Sequence, residues 1–417
     1  METLNARLDR LKSRLDTLVA AKPQYSALAT HPAAIDVVIT NNEINDLHGT
    51  GPLVKRILRG RTNLLSIRFY DDWGRHDLGD WDIRLPRTGL DRAESYRKVI
   101  GLLAGCRVHS VLCVPYGIDD LMSAIAIHDI FGGGISWAGL AGYVMDDQNI
   151  AVDRVPDSVM REFMERCSLR LATHPELRIA YERKYGLPFF LLPAVAPDAL
   201  VTLETPRETQ VREPHRTPRG ALLGSFWDQS WFDRLCEALE TSGYAIDWFG
   251  NHRSPWLEFS ARKLESARIQ TLGVVPEERL AAELRRYPFV IVPAGSLEAG
   301  ESNRSVASLS LPGRIIFAAA TSQTPILVVG SERTCAARFV KHFGIGETVP
   351  YDGAALKAAM DRLSSAPVQQ EMRRRAARIG PAFSDRGAVE WLERSVELGR
   401  AADMRFEDVF ARYCIEP

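Results

Sequence analysis

The amino-acid sequence predicts an α/β protein with two doubly wound domains. Short apolar segments alternate with helical segments along most of the chain, and a polar, proline-rich stretch divides this alternation into two sets. Such alternation is typical of parallel sheets that carry helices on both faces. A chain of 417 residues is also too long for one hydrophobic core, which independently favours two to three domains.

The first set covers residues 30–196 and contains six expected strands. Each is a short apolar run, and the helical segments between the runs supply the crossovers that parallel strands need. The expected strands are Ile35–Thr40, Leu64–Tyr70, Val108–Val114, Gly142–Met145, Leu169–Thr173 and Phe189–Leu192. We therefore expect the first domain to hold a mostly parallel sheet.

Residues 197–219 carry four prolines among charged and polar residues, which is the composition of an interdomain linker. The second set covers residues 220–385 and repeats the alternation of the first. Its expected strands are Gly220–Leu223, Ala245–Phe249, Ile269–Leu272, Phe289–Val292 and Ile326–Val329. One further helix is expected across Ala388–Tyr413, within the final segment of residues 386–417.

Residues 1–22 form a segment of their own. Their leucines recur at alternating spacings of four and three, which is the seam of a short coiled coil: Leu4, Leu8, Leu11, Leu15 and Leu18. Fewer than three heptads are marginal alone, so this helix must pack either on its own domain or on a second chain. The two readings have about equal weight, and we expect a homodimer.

Composition excludes several classes of protein. The net charge of −1 argues against nucleic acid as a partner bound through bulk charge. No apolar run approaches the roughly 20 residues that span a bilayer, and charges interrupt any signal-peptide core near the start. The six cysteines include no C-x-x-C pair, as in a reduced intracellular protein. We expect a cytoplasmic location.

The most informative stretch runs from Ser310 to Val329. Pro312 and Gly313 are expected to open a helix, whose first N–H groups and positive dipole end suit a phosphate. Ser310 can donate a hydroxyl there, and Arg314 can offer a forked positive charge. The stretch therefore predicts a phosphate site in the second domain.

The pattern S-x-P-G-R-I, followed by alanines and T-P-I-L, resembles the nucleotide-sugar segment of retaining GT-B glycosyltransferases, usually written S-x-P-S-K…E-x-x-A-x-G-x-P-V. The resemblance in organisation covers nearly the whole chain beyond residue 30. One letter departs from the pattern, because Phe317 stands roughly where the family has a glutamate for the donor ribose.

This resemblance implies a GT-B architecture. The first Rossmann-like domain would take the acceptor, the second would take the nucleotide sugar, and the C-terminal helix would cross back to the first domain. The implied reaction moves a sugar from a nucleotide diphosphate sugar to a hydroxyl of a glycan or lipid-linked acceptor, with retention, in bacterial surface polysaccharide synthesis. No metal is expected, since the helix dipole and basic groups would neutralise the diphosphate. A lipid-linked acceptor would add peripheral association with the inner face of the membrane.

Two glycine-bearing loops are candidate binding elements. Gly49, Thr50 and Gly51 follow the first strand, where glycines permit a tight turn and close approach of a ligand. A purely steric turn is the simpler alternative. Gly224 and Ser225 follow the first strand of the second domain, where the family has a small-residue loop near the diphosphate.

The remaining candidates are charged or polar side chains at strand ends. In the loop after Phe289–Val292, Glu298 stands near the first glutamate of the family's E-x7-E motif, and Asn303 and Arg304 suit a sugar or phosphate. A solvated acidic loop is the alternative. Asp146, beside Asp147, is the preferred carboxylate for acceptor hydroxyls, and His174 is the histidine expected to approach the donor sugar. We expect His174, Asp146 and Glu298 to be the catalytic groups.

Three other functions remain open. A GT-B nucleotide-sugar epimerase would share the phosphate site but needs several acid and base groups in the cleft. A degenerate, non-catalytic GT-B subunit is favoured by the missing ribose glutamate and opposed by Ser310, Pro312 and Arg314. A Rossmann dehydrogenase is a distant competitor, because acidic residues end the second expected strand but the glycines are out of register.

Overall fold

The protein contains two parallel sheets, each covered by helices. A computed structural model describes residues 28, 31, 33–202, 218–251, 257–298, 301, 304–411 and 413. Within these residues the first sheet has seven strands and the second has six. The predicted class, α/β with two doubly wound domains, is confirmed. The predicted helix at residues 1–22 and residues 203–217 of the predicted linker lie outside the described part.

The seven strands of the first sheet are all parallel, in the order β3-β2-β1-β4-β5-β6-β7. Continuous apolar runs form its centre because both faces are covered, as in β5, where every residue is buried. The strands are β1 Ile35–Ile39, β2 Leu64–Arg68, β3 Trp81–Arg84, β4 Val108–Cys113, β5 Gly139–Val144, β6 Leu169–Ala172 and β7 Phe190–Leu191. The helices are α1 Thr50–Ile57, α2 Arg92–Leu103, α3 Ile118–Phe131, α4 Asp157–Arg166 and α5 Pro175–Tyr185.

The second sheet is also fully parallel, in the order β10-β9-β8-β11-β12-β13. Its strands are β8 Arg219–Leu223, β9 Ala245–Phe249, β10 Ile269–Gly273, β11 Val290–Pro293, β12 Ile326–Val329 and β13 Gly346–Val349. Its helices are α6 Gln229–Ser242, α7 Ala261–Ser266, α8 Glu277–Leu284, α9 Arg304–Leu309, α10 Gly313–Phe317, α11 Cys335–Phe343, α12 Gly353–Leu363 and α13 Ala366–Ile379. A π-helical turn, Ala318–Ser322, continues α10.

The strand order reverses once in each sheet, between β1 and β4 in the first and between β8 and β11 in the second. In open α/β sheets, ligands bind outside the carboxyl ends of the strands at such a reversal. Buried apolar residues of both domains, including Leu53, Ala194 and Ile316, belong to one continuous cluster. The two binding edges are therefore held across from each other by a shared core.

The C-terminal region returns to the first domain as expected, but as two helices. Helix α14, Ala388–Leu398, packs on α1 and β5, and it ends at Gly399, which adopts the left-handed conformation with φ of 62°. Helix α15, Arg405–Val409, follows, and its Glu407 accepts a hydrogen bond from the Leu191 amide at 2.9 Å. The single helix predicted across Ala388–Tyr413 is thus interrupted.

All eleven expected strands are present, with ends shifted by up to three residues. Two edge strands were not expected. In β3 only Ile83 is buried, and in β13 only Val349 is buried, so neither has the apolar run that marked the inner strands. Pro312 is the N-cap residue of α10 rather than its first helical residue, which is Gly313.

Candidate active site

A cavity of about 480 Å³ opens between the two domains. The first domain lines it with the loop after β1 and the start of α1. The second domain lines it with the loops after β8, β9 and β10 and with the start of α10. These are the carboxyl ends of parallel strands on both sides, so the cavity occupies the position where an open α/β sheet binds ligands.

The two glycines of the first loop have different roles. Gly49 is the N-cap residue of α1 with φ of −59°, and a Cβ built on it would meet no atom within 4 Å. A Cβ on Gly51 would lie 1.8 Å from the carbonyl oxygen of Asn45, which is impossible without moving the backbone. Gly51 is therefore needed for the fold of the loop, whereas Gly49 lines the cavity and leaves space beside the backbone.

His48 also lines the cavity. Its Nε2 donates to the backbone carbonyl of Glu43 at 2.9 Å, so the neutral ring has its unprotonated nitrogen at Nδ1. Burial lowers the pKa of His48 below its usual value, despite the opposing effect of Glu43. A neutral imidazole at the cavity wall can accept a proton or a hydrogen bond from a ligand hydroxyl.

An ion pair crosses the cavity wall. Arg56 of α1 pairs with Glu277 at the start of α8 and donates to the carbonyl of Val195 at 2.7 Å. Its guanidinium also lies over the ring of Phe317, 5.4 Å from the centroid. Phe317 thus presents an aromatic ring whose face is covered by an arginine of the other domain.

Arg314 hydrogen-bonds the chain at the ends of β8 and β11, the two strands between which the strand order of the second sheet reverses. Its Nη1 donates to the Ser225 carbonyl at 2.7 Å, and its Nη2 lies 3.4 Å from the Pro293 carbonyl. The side chain runs over Gly224, whose φ of 89° favours glycine, and a Cβ there would displace the end of the Arg314 side chain. Desolvation lowers the pKa of Arg314 to about 10, so the side chain stays cationic at neutral pH.

Three predicted site residues meet in one hydrogen-bonded chain between the domains. Ser310 Oγ donates to Asp146 Oδ1 at 2.9 Å, and Tyr116 OH donates to Asp146 Oδ2 at 2.6 Å. Thr50 Oγ1 in turn donates to Tyr116 OH at 3.2 Å. Burial and the Asp146 charge raise the pKa of Tyr116 well above its usual value, so the phenol keeps its proton. The chain connects the second domain to the ends of β1, β4 and β5.

The other predicted residues lie away from the cavity. His174 is fully buried at the start of α5. Glu298 is exposed and pairs with Arg234 at 2.9 Å, and Arg304 is exposed at the start of α9. Asp147 is buried and accepts three backbone N–H groups of its own loop, so it is not oriented with Asp146 toward one cation. Asn303 lies outside the described residues.

Of the predicted binding residues, six line the cavity: Gly49, Gly224, Ser225, Pro312, Gly313 and Arg314. The first amides of α10 lack intrahelical partners, as at any helix start. The catalytic roles predicted for His174, Asp146 and Glu298 stay predictions, and none of the three lines the cavity.

Sequence reasoning missed His48, Arg56 and Glu277 as cavity residues. His48 stands next to the glycine loop, and this adjacency was the available signal. Arg56 belongs to the helix that the loop opens, one turn further along. Glu277 follows a strand of the second domain, but its pairing with Arg56 depends on domain orientation and left no local signal.

No protein-family model matches this sequence, and no curated protein sequence is similar to it. Solved structures do match its fold. WaaG, a glycosyltransferase involved in lipopolysaccharide biosynthesis, is 13% identical with a TM-score of 0.56, covering 87% of this chain and 99% of its own. Sucrose-phosphate synthase from Thermosynechococcus elongatus is 13% identical with a TM-score of 0.56, covering 91% of this chain and 100% of its own.

The chain has the GT-B fold. A second enzyme class shares it, since a putative UDP-N-acetylglucosamine 2-epimerase from Listeria monocytogenes matches with 11% identity and a TM-score of 0.53, covering 90% of this chain and 98% of its own. At these identities the likeness concerns fold alone. Separately, no helix in the described part of the chain combines the length and apolar composition of a membrane-crossing segment.

Proposed function

We propose that this GT-B protein is a glycosyltransferase that moves a sugar from a nucleotide diphosphate sugar to a hydroxyl of a glycan or lipid-linked acceptor. Bacterial surface polysaccharide synthesis, in the cytoplasm at the inner face of the membrane, would be its setting. One observation carries the proposal: the 480 Å³ cavity brings the open Gly49 loop of one domain against the α10 start and Arg314 of the other.

The cavity has the charge that a departing diphosphate needs. Arg314 is cationic and borders the cavity, and Pro312 and Gly313 at the start of α10 line the same space. Donors fixed before reaction stabilise developing negative charge without reorganisation, and one such donor is worth ~2–4 kcal/mol in the transition state. No metal is required in this scheme, because peptide dipoles and guanidinium supply the positive charge.

The acceptor side would be formed by the first domain. The backbone beside Gly49 is open, so a sugar ring can approach it closely. His48 offers Nδ1 to an acceptor hydroxyl, which would help to remove its proton as the new glycosidic bond forms. Retention of configuration would follow if this hydroxyl attacks from the face that the diphosphate leaves.

A non-catalytic binding subunit is the second candidate. The observation that favours it is the engagement of Arg314 with the carbonyls of Ser225 and Pro293, which commits part of its donor capacity to the protein. The covered face of Phe317 points the same way, since the ribose carboxylate of the family pattern is absent.

A panel of nucleotide diphosphate sugars separates these functions. Calorimetry with the full chain should detect binding of at least one donor, and product analysis should show sugar transfer only when an acceptor is added. Conversion of the donor without acceptor would instead identify an epimerase. Binding with no conversion under either condition would identify a binding subunit, and absence of binding would reject the nucleotide site altogether.

A further inference from the structure

Three buried side chains with metal-ligating atoms meet where the two domains touch. His174 is the N-cap residue of α5 in the first domain, and Glu176 lies in the first turn of that helix. Cys335 is the first residue of α11 in the second domain. Each offers one donor atom, and these atoms all lie within 4.8 Å of one another. His174 and Cys335 have no exposed surface, and Glu176 is 5% exposed.

The hydrogen bond at Nδ1 of His174 leaves Nε2 unprotonated, with its lone pair available to a ligand. Thr173 Oγ1 donates to the Met145 carbonyl at 3.2 Å, so its hydroxyl proton is used there. The same oxygen lies 2.9 Å from His174 Nδ1 and must accept from it, which places the ring proton on Nδ1. Nε2 is buried and makes no hydrogen bond of acceptable geometry, and the Leu309 backbone, which lies close enough to raise the pKa of the ring through a hydrogen bond, would have to give way to a metal. A neutral imidazole with a fixed tautomer is the form that binds metals.

The two carboxylate oxygens of Glu176 also differ in their hydrogen bonding. Its Oε1 accepts from Tyr413 OH at 2.7 Å and from Arg338 Nε at 3.2 Å. Its Oε2 is buried and has no hydrogen-bond partner of acceptable geometry, and the thiol of Cys335 is the neighbouring donor that acts on the carboxylate. A buried carboxylate oxygen without a partner is costly, and most such groups in proteins are hydrogen-bonded or bind an ion. One oxygen therefore orients the group while the other is left for a ligand.

We propose that His174 Nε2, Glu176 Oε2 and Cys335 Sγ bind a divalent transition metal, with zinc as the best fit. Nitrogen, oxygen and sulfur donors together are characteristic of zinc, whose bonds of about 2.0–2.3 Å need tetrahedral donors separated by roughly 3.3–3.8 Å. The donor atoms lie within 4.8 Å of one another, so reaching tetrahedral spacing requires an inward movement of up to roughly 1–1.5 Å. The carboxylate and a thiolate balance the two charges of the ion, and Cys335 releases its proton to solvent as the metal–sulfur bond forms.

Such an ion would cross-link α5 of the first domain to α11 of the second. The cluster is also linked to helix α9, because Arg338 donates both to Glu176 at 3.2 Å and to the Ser308 carbonyl at 3.4 Å. The role of the ion would be to fix the angle between the domains. The proposal is independent of the proposed function, and its metal differs from one that would bind a diphosphate in the cavity.

The test is a metal titration of the full chain after treatment with a chelator. Zinc is added against a chromophoric competitor, cobalt(II) is added separately, and thermal unfolding is followed with and without zinc. We expect one zinc per chain, a cobalt spectrum with a thiolate charge-transfer band, and a higher midpoint of unfolding with zinc. If the unmutated protein binds no zinc, or forms a cobalt complex without the thiolate band, the proposal is overturned without any variant.

A matched pair of variants locates the site. Cys335→Ser should weaken zinc binding by at least about tenfold and abolish the thiolate band. Cys236→Ser changes another buried cysteine of the second domain, outside the cluster, and should retain both. A band that survives Cys335→Ser, or that is lost only with Cys236→Ser, would assign the thiolate elsewhere and refute the site.

Discussion

Replacing Arg314 tests whether its charge serves a ligand or only the fold. In Arg314→Met the side chain keeps much of its length but loses the donors to Ser225 and Pro293. A hydrogen bond from a charged group contributes about 1.5–3 kcal/mol. The bond to Ser225 is short and the one to Pro293 is long, so we expect the free energy of unfolding to fall by ~2 kcal/mol.

The same substitution should have a second, separate effect on binding. If the guanidinium also attracts a diphosphate, losing that charge-assisted contact should lower affinity by roughly 10–100-fold, at 1.4 kcal/mol for each factor of ten. Arg314→Lys keeps the charge but loses the fork, so it should lose stability while keeping most of the affinity. Isothermal calorimetry with a nucleoside diphosphate and denaturant unfolding measure the two quantities on the same samples.

The control is Arg285, which also hydrogen-bonds a backbone carbonyl of the second domain but does not line the cavity. Arg285 donates from Nε and Nη2 to the Thr321 carbonyl at 3.1 and 2.7 Å. Arg285→Met should lose a similar amount of stability with little change in affinity. If Arg314→Met and Arg285→Met reduce affinity equally, or if Arg314→Met binds as the parent does, the charge of Arg314 does not act on the ligand.

Three further predictions concern the glycine loop, a buried carboxyl and metal dependence. Gly49→Ala should change the free energy of unfolding by less than about 1 kcal/mol but weaken donor or acceptor binding, whereas Gly51→Ala should destabilise the fold because its Cβ collides with Asn45. Thermal unfolding and calorimetry measure the two effects. Unchanged binding by Gly49→Ala would show that the loop is not part of the site. Burial raises the pKa of Asp120 to about 8 in the folded protein, so the native state holds more protons than the unfolded state between about pH 4 and pH 8, and stability falls as pH rises through that window. Asp120→Asn should flatten this fall in denaturant unfolding series, and an equally steep fall in the variant would contradict the assignment. Magnesium or manganese added to zinc-loaded protein should change the transfer rate by less than about twofold in a product assay. A strong stimulation would require a cation at the diphosphate.

The sequence allowed the inner strands to be located because each is a short apolar run bounded by turn residues. Edge strands β3 and β13 lack that run, since charged residues interrupt their sequences, WDIR and GETV. The interruption of the C-terminal helix has a local cause in Gly399, whose left-handed φ ends α14, yet a glycine within a helical pattern does not by itself predict a break.

Some features of the candidate site could be predicted from the sequence, and others depend on the relative orientation of the domains. The loops at Gly49, Gly224 and Gly313 were found because they follow strands or open helices, and connectivity alone puts each on the ligand-binding side of its own domain. The pairing of Arg56 with Glu277 joins residues far apart in sequence, so it depends on how the domains are oriented. His174 also follows a strand, but its ring turns into the domain contact, and periodicity says nothing about that direction.

The return of α14 to α1 and β5 has a consequence for how the chain is made on the ribosome. The residues that cover this side of the first domain are synthesised only after the entire second domain has emerged. Until then Val396 cannot reach Gly139, which lies against it in the finished protein. The nascent first domain therefore exposes an apolar face until synthesis of the second domain is complete. During that time chaperones can bind this face, and association with neighbouring nascent chains competes with folding.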